Sequence, residues 1–315
     1  MRITTTLKKA FTALFTAAVS FGAVSQAQAD TLRIGYQKDS LALIKAKDSL
    51  EKHLSEKGVD VKWTEFPGGP QLLEGLNVGS IDFGVTGETP PVFAQAAKAD
   101  LIYVAHDASS PTSEAIVVPK NSPITNVADL KGKKVAFNRG SNVHYLIVRA
   151  LQEAGLKYSD IEPAYLPPSD ARAAFERGSV DAWVIWDPYL AAAEQQLGAR
   201  ILRDATGLAD NHEFYLSNGT YAKNNPEVIN ILVEQIRHAG EWIKANVDQA
   251  TKEFAPVFGL PEGIIKTTIE RHHYDTQVIS PEVAIGQQKI ADVFTDLKLI
   301  PVKLNIDDVV WKPAQ

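Results

Sequence analysis

The sequence predicts an α/β protein with two lobes, each a mostly parallel β-sheet covered by helices, joined by two hinge strands. Three observations support this prediction: an internal repeat, a length beyond that of one ordinary core, and polar turns at the ends of apolar runs. The segment that begins at Phe66 aligns with the segment that begins at Tyr165, at a shift of 99 residues. Such self-similarity indicates that one structural unit occurs twice.

The repeat matches in form more than in identity. Gly79-Ser80-Ile81-Asp82 falls on Gly178-Ser179-Val180-Asp181, Glu88 falls on Asp187, and a proline follows each of these two acids closely. Upstream, the segments "LRIGYQKDSLALIKA" and "KKVAFNRGSNVHYLIVRA" form a second pair, offset by about 101 residues. Each unit has the order strand, turn, helix, strand, polar turn, helix, which is typical of a parallel sheet with covering helices.

The second unit contains the clearest helix. Val135 to Leu156 passes from an apolar strand to an amphipathic helix, in which Gly155 supplies the C-terminal stop. The apolar positions of this helix, spaced by three and four residues, are Val143, Leu146, Ile147, Ala150, Leu151 and Ala154. From about Asn225 the pattern changes to long amphipathic helices, interrupted at "FGLPEG", and these are expected to pack on the first lobe.

The lobe boundaries follow from the position of the second unit. Residues 30–116 and 217–315 are predicted to form lobe 1, and residues 117–216 to form lobe 2. The segments that begin at Ser113 and Glu213 flank the second unit, so they are the candidate crossing strands and the candidate hinge.

The N-terminus predicts export. Residues 1–29 combine Arg2, Lys8 and Lys9 with a short apolar run and an Ala-x-Ala site, which is the pattern of a cleaved secretory signal. Without them, 29 of the 32 Lys and Arg residues remain against all 38 Asp and Glu residues, or about −9. This charge argues against nucleic acid as a partner. The absence of cysteine excludes disulfides and thiol catalysis.

Polar turns form the candidate binding site. In a parallel sheet all strand-to-helix turns lie at one edge, where helix N-termini present free N–H groups, so opposed edges of two lobes can close over a small anion. The candidate turns are "GYQKDS" (35–40), "PGGPQ" (67–71), "TGETPP" (86–91), "NRGSNVH" (138–144, from Asn138) and "WDPY" (186–189).

Several of these residues allow two interpretations, one structural and one functional. Ser141 and Asn142 are capping residues or ligand donors, and Gly140 relieves a turn or lets an oxyanion touch the backbone amides. His144 is a partly exposed polar residue or a cationic donor to the ligand. Glu88 and Asp187 are expected mainly to cap the following helices, since a carboxylate would repel an anion.

Aromatic residues provide a candidate wall for an aliphatic tail. Trp186 follows an apolar run at the end of a strand, which favours a place beside the cleft. The full set of wall candidates, some of which must belong to the core, is Phe66, Trp186, Tyr189, Phe214 and Tyr215.

Catalysis, a cofactor and a metal are not predicted. No nucleophile elbow, zinc-binding helix, phosphate loop or dinucleotide fingerprint occurs in the sequence. The segment "RHHYD" (271–275) is not expected to bind metal, because adjacent histidines on a helix point apart and no third ligand follows at a useful spacing.

A family resemblance enters at these motifs. "LRIGYQK", "EFPGGPQLLEGLNVGSIDFGVTGETPPVFAQAAKADLIYV", "SPITNVADLKGKKVAF" and "DARAAFERGSVDAWVIWDPY" closely resemble the aliphatic sulfonate-binding proteins of bacterial ABC importers. The resemblance implies a monomeric protein of the periplasmic binding protein fold, which captures a sulfonate between its lobes and delivers it to a membrane permease for sulfur supply. The alternatives are a binder of taurine, nitrate or a heterocyclic precursor, a chemosensory partner, and a sulfinate desulfinase on the same scaffold, which would need a cysteine.

The resemblance also implies site residues. Gln37 and Gln71 resemble polar ligands of the first lobe, and Trp186 resembles the lid aromatic. The two cleft turns are implied to be Thr86, Gly87 and Glu88 in the first lobe, and Gly140, Ser141, Asn142 and His144 in the second. The family pattern often has Asp where Glu88 stands, and "GSSSHN" where this chain has "GSNVHY".

Overall fold

The structure is a computed structural model that describes residues 30–47 and 49–312. The predicted signal segment, residues 1–29, lies outside the described residues. Among the helices that the structure does describe, none is both long enough and apolar enough to cross a membrane.

The described residues form ten strands and twelve α-helices, in the order given next. The elements are β1 (Asp30–Tyr36), α1 (Ser40–Lys47), α2 (Ser49–Ser55), β2 (Val59–Glu65), α3 (Gly69–Asn77), β3 (Phe83–Gly87), α4 (Pro90–Ala96), β4 (Leu101–His106), β5 (Glu114–Val118), β6 (Lys134–Phe137), α5 (Asn142–Glu153), β7 (Glu162–Tyr165), α6 (Pro168–Glu176), β8 (Ala182–Trp186), α7 (Tyr189–Leu197), β9 (Arg200–Asp204), β10 (Glu213–Asn218), α8 (Gly219–Asn224), α9 (Pro226–Ala245), α10 (Val247–Phe258), α11 (Glu262–Arg271) and α12 (Pro281–Asp296). Short 3₁₀ turns occupy Pro111–Ser113, Val127–Leu130, Tyr158–Asp160 and Ile306–Val309.

Two five-stranded sheets organise these elements, as the repeat predicts. The first has the order β2-β1-β3-β10-β4 and the second the order β7-β6-β8-β5-β9. In each sheet four strands run in the same direction, and the fourth strand in the order, β10 or β5, runs against its two neighbours. Each sheet is therefore mixed, with a parallel majority, and the predicted α/β class is confirmed.

The antiparallel strands show where the chain crosses between lobes. β5 pairs over its whole length within the second sheet, and β10 pairs within the first. The chain therefore crosses in residues 107–113 and 205–212, just before these strands. The predicted boundaries at 116/117 and 216/217 fall inside β5 and β10, because these strands complete a sheet instead of spanning the gap between the two.

The repeat appears in the element bounds. A shift of 99 residues maps both ends of α3 onto those of α6, and both ends of β3 onto those of β8. Gly79 and Gly178 both have a positive φ, 71° and 69°, which an L residue with a Cβ rarely adopts. The Asp82 and Asp181 carboxylates each accept a backbone N–H from the neighbouring strand, from Arg33 at 2.9 Å and from residue 134 at 2.8 Å.

The C-terminal helices extend the first lobe, and two of them, α11 and α12, also contact the second lobe. α9 packs on α1 and β4, and α12 packs on α4 through Phe294 and Phe93, whose ring centroids are 4.9 Å apart. α10 packs against α1 and α11. α11 also contacts α7 of the second lobe, which the sequence did not predict.

Candidate functional site

A cavity lies between the two lobes at the carboxyl ends of the parallel strands. The strand ends and turns of β1, β2, β3, β6 and β8 line it, together with both crossing segments and the α10–α11 pair. The lining residues from the turns and crossing segments are Gln37, Lys38, Asp39, Ser40, Gly69, Gly87, Ser113, Asn142, Trp186, Asp187, Asn211 and Glu213. The lining residues from the C-terminal part are Phe254, Phe258, Ile265, Thr268, Ile269, His272 and Tyr274.

Five of the predicted site residues lie at this cavity. They are Gln37, Gly87, Asn142, Trp186 and Asp187. Each of them ends or follows a strand at the sheet edge where ligands collect, which is why the sequence singled them out. The other predicted residues lie behind the cavity wall or at its rim.

Asn142 joins the cavity to the crossing segments. Its Nδ2 donates to the Glu114 carboxylate and, at 3.0 Å, to Asn211 Oδ1. Asn211 in turn donates from Nδ2 to Ser110 O at 3.0 Å and to Ser113 Oγ at 2.9 Å. One buried polar network thus connects the first residue of α5 to both segments that cross between the lobes.

Ser141 is the residue before α5, as predicted, but its side chain does not cap the helix. Its Oγ donates to Asn138 O at 2.7 Å. Gly140 has φ 75° and packs beside Phe93, outside the cavity. The predicted capping hydrogen bond is therefore absent, and the Ser141 hydroxyl forms a hydrogen bond within its own turn instead.

His144 lies where the two lobes meet, between Phe137 of its own lobe and the rings of Phe93 and Phe294 of the first lobe. It is fully buried, its Nδ1 accepts the Gly140 N–H at 3.2 Å, and its Nε2 lies 3.0 Å from Tyr158 Oη. Burial, with the charge of Arg139, lowers the pKa of His144 to about 3. Full burial contradicts the expectation of a partly exposed residue, and the lowered pKa and the aromatic surroundings disfavour a cationic donor to the ligand.

Gln71 and Asn138 face each other across the rim near Gly68. A Cβ at Gly68 would lie 2.8 Å from Asn138 Nδ2, 3.1 Å from Gln71 Oε1 and 3.8 Å from Trp186. Both polar atoms are buried and have no hydrogen-bond partner among the described residues. The two lobes therefore meet closely here, and a Cβ at Gly68 would require the Asn138 and Gln71 amide groups to move.

Thr86 and Tyr215 belong to the first sheet. The Thr86 hydroxyl donates to Gly87 O at 2.9 Å. Tyr215 is fully buried, and its hydroxyl donates to Asp107 Oδ2 at 2.9 Å and lies 3.1 Å from Ser40 Oγ, which does line the cavity. Among the wall candidates Phe66, Trp186, Tyr189, Phe214 and Tyr215, Trp186 alone lines the cavity.

Glu88 does not cap α4. Its Oε2 accepts the backbone N–H of His212 at 3.3 Å, in a crossing segment, while its Oε1 is buried without a partner among the described residues. Burial, together with the charge of Asp210, raises the pKa of Glu88 to about 8. The predicted cap is therefore wrong for Glu88. Its carboxyl group binds the backbone of the crossing segment instead.

Asp187 does cap its helix and also borders the cavity. Its Oδ1 accepts the Ala191 N–H at 2.9 Å and lies 3.6 Å from Arg271 Nη1. Burial raises the pKa of Asp187 to about 6, against the opposing effect of the Arg271 charge. The capping prediction for Asp187 is thus confirmed.

Burial raises the pKa of several acids at the cavity and around it. Burial raises the pKa of Asp39 to about 8, and it raises the pKa values of Glu114 and Glu213 as well. A neutral carboxyl repels an anion far less than a carboxylate does. Lys38 carries positive charge at the cavity, and its Nζ donates to Phe258 O at 2.9 Å.

His272 forms a cluster with Asp107 and Glu213. One potential ligand atom of each residue lies within 4.8 Å of the others. Burial lowers the pKa of His272, but the hydrogen bond to Asp107 and the charges of Asp107 and Glu213 outweigh it and raise the pKa overall. The sequence argument against a metal, that no third ligand is in reach, is overturned by the fold. Still, the Asp107 oxygens already accept hydrogen bonds from Tyr215 and Thr276, so the contacts suit a buried ion pair.

The apolar wall of the cavity comes from helices that the sequence did not assign to the site. Phe254 and Phe258 of α10 and Ile265 and Ile269 of α11 line it. A signal was present, since the adjacent residues Ile264 and Ile265 make α11 apolar on two sides, and one side alone suffices to pack a helix on a lobe.

Comparisons with known proteins agree with this architecture. Residues 52–250 match the family described as "NMT1/THI5 like". An aliphatic sulfonates-binding protein of Escherichia coli (strain K12) is 46% identical, over 94% of this chain and 93% of the relative.

Two solved structures are similar over nearly the whole chain. The periplasmic aliphatic sulphonate binding protein of Escherichia coli superposes with a TM-score of 0.82 at 46% identity, covering 91% of this chain and 93% of that one. The alkanesulfonate-binding protein of Xanthomonas axonopodis pv. citri bound to MOPS superposes with a TM-score of 0.86 at 41% identity, covering 90% and 99%. The predicted two-lobed periplasmic binding protein fold is confirmed, and the chain belongs to the NMT1/THI5-like family and to the family of aliphatic sulfonate-binding proteins.

Proposed function

We propose that this protein is a periplasmic solute-binding protein, which captures aliphatic sulfonates in the interlobe cavity and delivers them to the membrane permease of an ABC importer for sulfur supply. The observation that carries the proposal is the cavity itself. Polar groups of both lobes line it, and so do aromatic and aliphatic side chains of α10 and α11. A ligand with a polar head and an aliphatic tail matches this combination.

The head group is proposed to contact the polar edge that contains Ser40, Gly87, Ser113 and Asn142. Lys38 contributes positive charge beside it, the carboxylates around His272 raise the pKa of its imidazole, and burial raises the pKa of the nearby Asp39 to about 8. The tail is proposed to lie along Trp186 and the two helices. Backbone N–H groups and neutral amides can bind a weakly basic sulfonate, whose three oxygens accept hydrogen bonds in several directions.

The same cavity argues against nitrate as the main ligand. Nitrate has no tail, and an apolar wall formed by Phe254, Phe258, Ile265 and Ile269 would contribute nothing to its binding. Titration calorimetry should show binding of ethane- to octanesulfonate and no binding of nitrate or sulfate. Tight nitrate binding would overturn the choice of ligand, and tight taurine binding with weak alkanesulfonate binding would favour the taurine alternative.

We also propose that the protein binds without catalysing a reaction. The rival enzyme, a sulfinate desulfinase, would need a cysteine nucleophile, and the sequence has no cysteine. Incubation of the protein with aromatic sulfinates should release no sulfite. Sulfite release above the buffer control would contradict this part of the proposal.

Delivery to a permease is tested in cells. The protein is proposed to act as a monomer in the periplasm after removal of residues 1–29. A strain that lacks it should fail to import labelled alkanesulfonate, and the full-length gene should restore import. Normal import in the deletion strain would favour the chemosensory alternative, in which the closed form docks on a receptor.

A further inference from the structure

Helix α11 presents different residues to two different parts of the molecule. Ile265, Thr268 and Ile269 line the cavity, and their spacing of three and four residues places them on one side of the helix. Ile264, Thr267 and Arg271 have the same kind of spacing, one residue out of step, and they face α7 of the second lobe. One side of the helix therefore faces the cavity, and another side contacts the second lobe.

The contacts with the second lobe are specific. They are Ile264 with Ala191 and Ala192, Thr267 Oγ1 with Gln195 Nε2 at 3.0 Å, Gly263 O with Gln195 Nε2 at 3.2 Å, and Arg271 Nη1 with Glu194 Oε2 at 2.7 Å. These contacts hold α11 between the cavity and α7. A side chain that lines the cavity from α11 cannot retreat from a longer ligand without breaking them.

The neighbouring wall is equally fixed. Phe254 and Phe258 of α10 have ring centroids 5.0 Å apart and pack in a cluster with Leu43 and Ile243 of the first lobe. Trp186 is held at the end of β8, where its ring meets Tyr189 edge to face at 6.2 Å. The apolar part of the cavity thus has rigid boundaries, and a rigid apolar pocket discriminates between tails by their length.

We propose that α11 is the specificity-determining element of this cavity, with Ile265 and Ile269 setting the longest sulfonate tail that the closed protein accepts. The inference rests on the proposed function and adds to it the residues that select within the substrate class. Each methylene of a tail that remains within the apolar part of the cavity should raise the affinity about fourfold. Methylenes beyond the limit set by α11 should lower it.

A matched pair of variants tests this assignment. Ile269→Ala enlarges the cavity, whereas Ile264→Ala makes the same change on the same helix at a residue that faces α7. Affinities for methane- to decanesulfonate are measured by titration calorimetry for the wild type and both variants. Thermal melts check that each variant folds, and Ile269→Val, which removes a single methyl group, replaces Ile269→Ala if the latter does not fold.

The expected result is a shift in the preferred tail length for one variant alone. Ile269→Ala should move the optimum by at least one carbon toward longer tails, and Ile269→Val should move the fall-off in the same direction by less. Ile264→Ala should lower the affinity for all tails by a common factor and leave the optimum in place. If the wild type binds sulfonates but the Ile269 variants keep its tail-length profile, the assignment of α11 is wrong and the proposed function stands. If the wild type binds no sulfonate, the proposed function itself is wrong, and this inference fails with it.

Discussion

The two halves of the repeat place very different residues at equivalent positions of the cavity. Gly87 ends β3 in the first lobe, and Trp186, 99 residues later, ends β8 in the second. Both line the cavity. Where the first lobe has no side chain, Asn142 of the second lobe fills the space, since a Cβ at Gly87 would lie 2.8 Å from Asn142 Cγ. One pattern of strands and helices thus supports an asymmetric site. The second lobe places the large side chain of Trp186 at the cavity, and the first lobe has a glycine, Gly87, at the equivalent position.

The next residue in each half shows the same divergence. Glu88 and Asp187 both follow the strand and precede a proline-containing helix start. Asp187 turns back to its own helix and borders the cavity, whereas Glu88 reaches a crossing segment at His212. The repeat determines the backbone path, and contacts between the lobes determine what each acid does.

The largest expected effect separates these two acids by pH. Burial raises the pKa of folded Glu88 to about 8, so its contribution to stability is present below pH 4.5 and is lost as the pH rises through about 8. Glu88→Gln cannot ionise, and it should therefore exceed the wild type in stability at pH 8 by roughly 2–4 kcal/mol, with little difference at pH 4.

Urea unfolding at pH 4, 6 and 8 measures this difference. Asp187→Asn is the matched comparison, since the pKa of Asp187 is raised only to about 6 and the charge of Arg271 favours its ionised form. Its gain should be smaller and complete by about pH 6. Equal pH profiles for the two variants would contradict the distinction between the two acids.

The second prediction tests the space at Gly87, which Asn142 of the second lobe fills. Gly87→Ala places a methyl group against Asn142, so closure should cost about 1–3 kcal/mol of binding free energy. The first lobe should still fold, because Gly87 does not have a positive φ. Titration calorimetry measures the loss. Gly286→Ala in α12, where the nearest atom would be 3.7 Å away, is the control and should bind as the wild type does.

The third prediction tests the large side chain that the second lobe places at the cavity, Trp186. Trp186→Ala removes apolar surface beside the tail, so it should weaken binding of hexanesulfonate by about 1–2 kcal/mol and binding of methanesulfonate by less. The same calorimetric series measures both ligands. Equal losses for the two would place Trp186 outside the tail region.

The smallest expected effect concerns the contact that joins the lobes opposite the crossing segments. Arg271→Ala removes the ion pairs with Glu194 and Asp187 of the second lobe and should weaken binding by up to about 1 kcal/mol, with faster ligand release in stopped-flow experiments. Arg237→Ala breaks an ion pair of the same length as the Arg271–Glu194 pair, 2.7 Å to Glu241, within α9. A loss of affinity in the Arg237 variant as large as in the Arg271 variant would mean that the interlobe position has no special role.

Much of the architecture was predictable from residues that act locally. The positive φ of Gly79 and Gly178, the spacing of apolar residues in α5 and the turns after strands are properties of short segments, and a repeat doubles the signal. The predicted site residues that line the cavity, such as Gln37 and Asn142, follow from one rule, that ligands collect at the carboxyl edge of a parallel sheet.

The sequence by itself determined the α/β class, the duplication, the strand–helix joints and the family resemblance, because each of these depends on contacts or spacings within a few tens of residues. Only the tertiary structure decided which residues at those joints face the cavity, that β5 and β10 complete opposite sheets, and that α10 and α11 supply the apolar wall. Phe254, Ile269 and His272 lie more than 200 residues from Gln37 along the chain. Their meeting depends on how two lobes and a C-terminal extension pack together, and side-chain periodicity says which face of a helix is buried but not what lies against it.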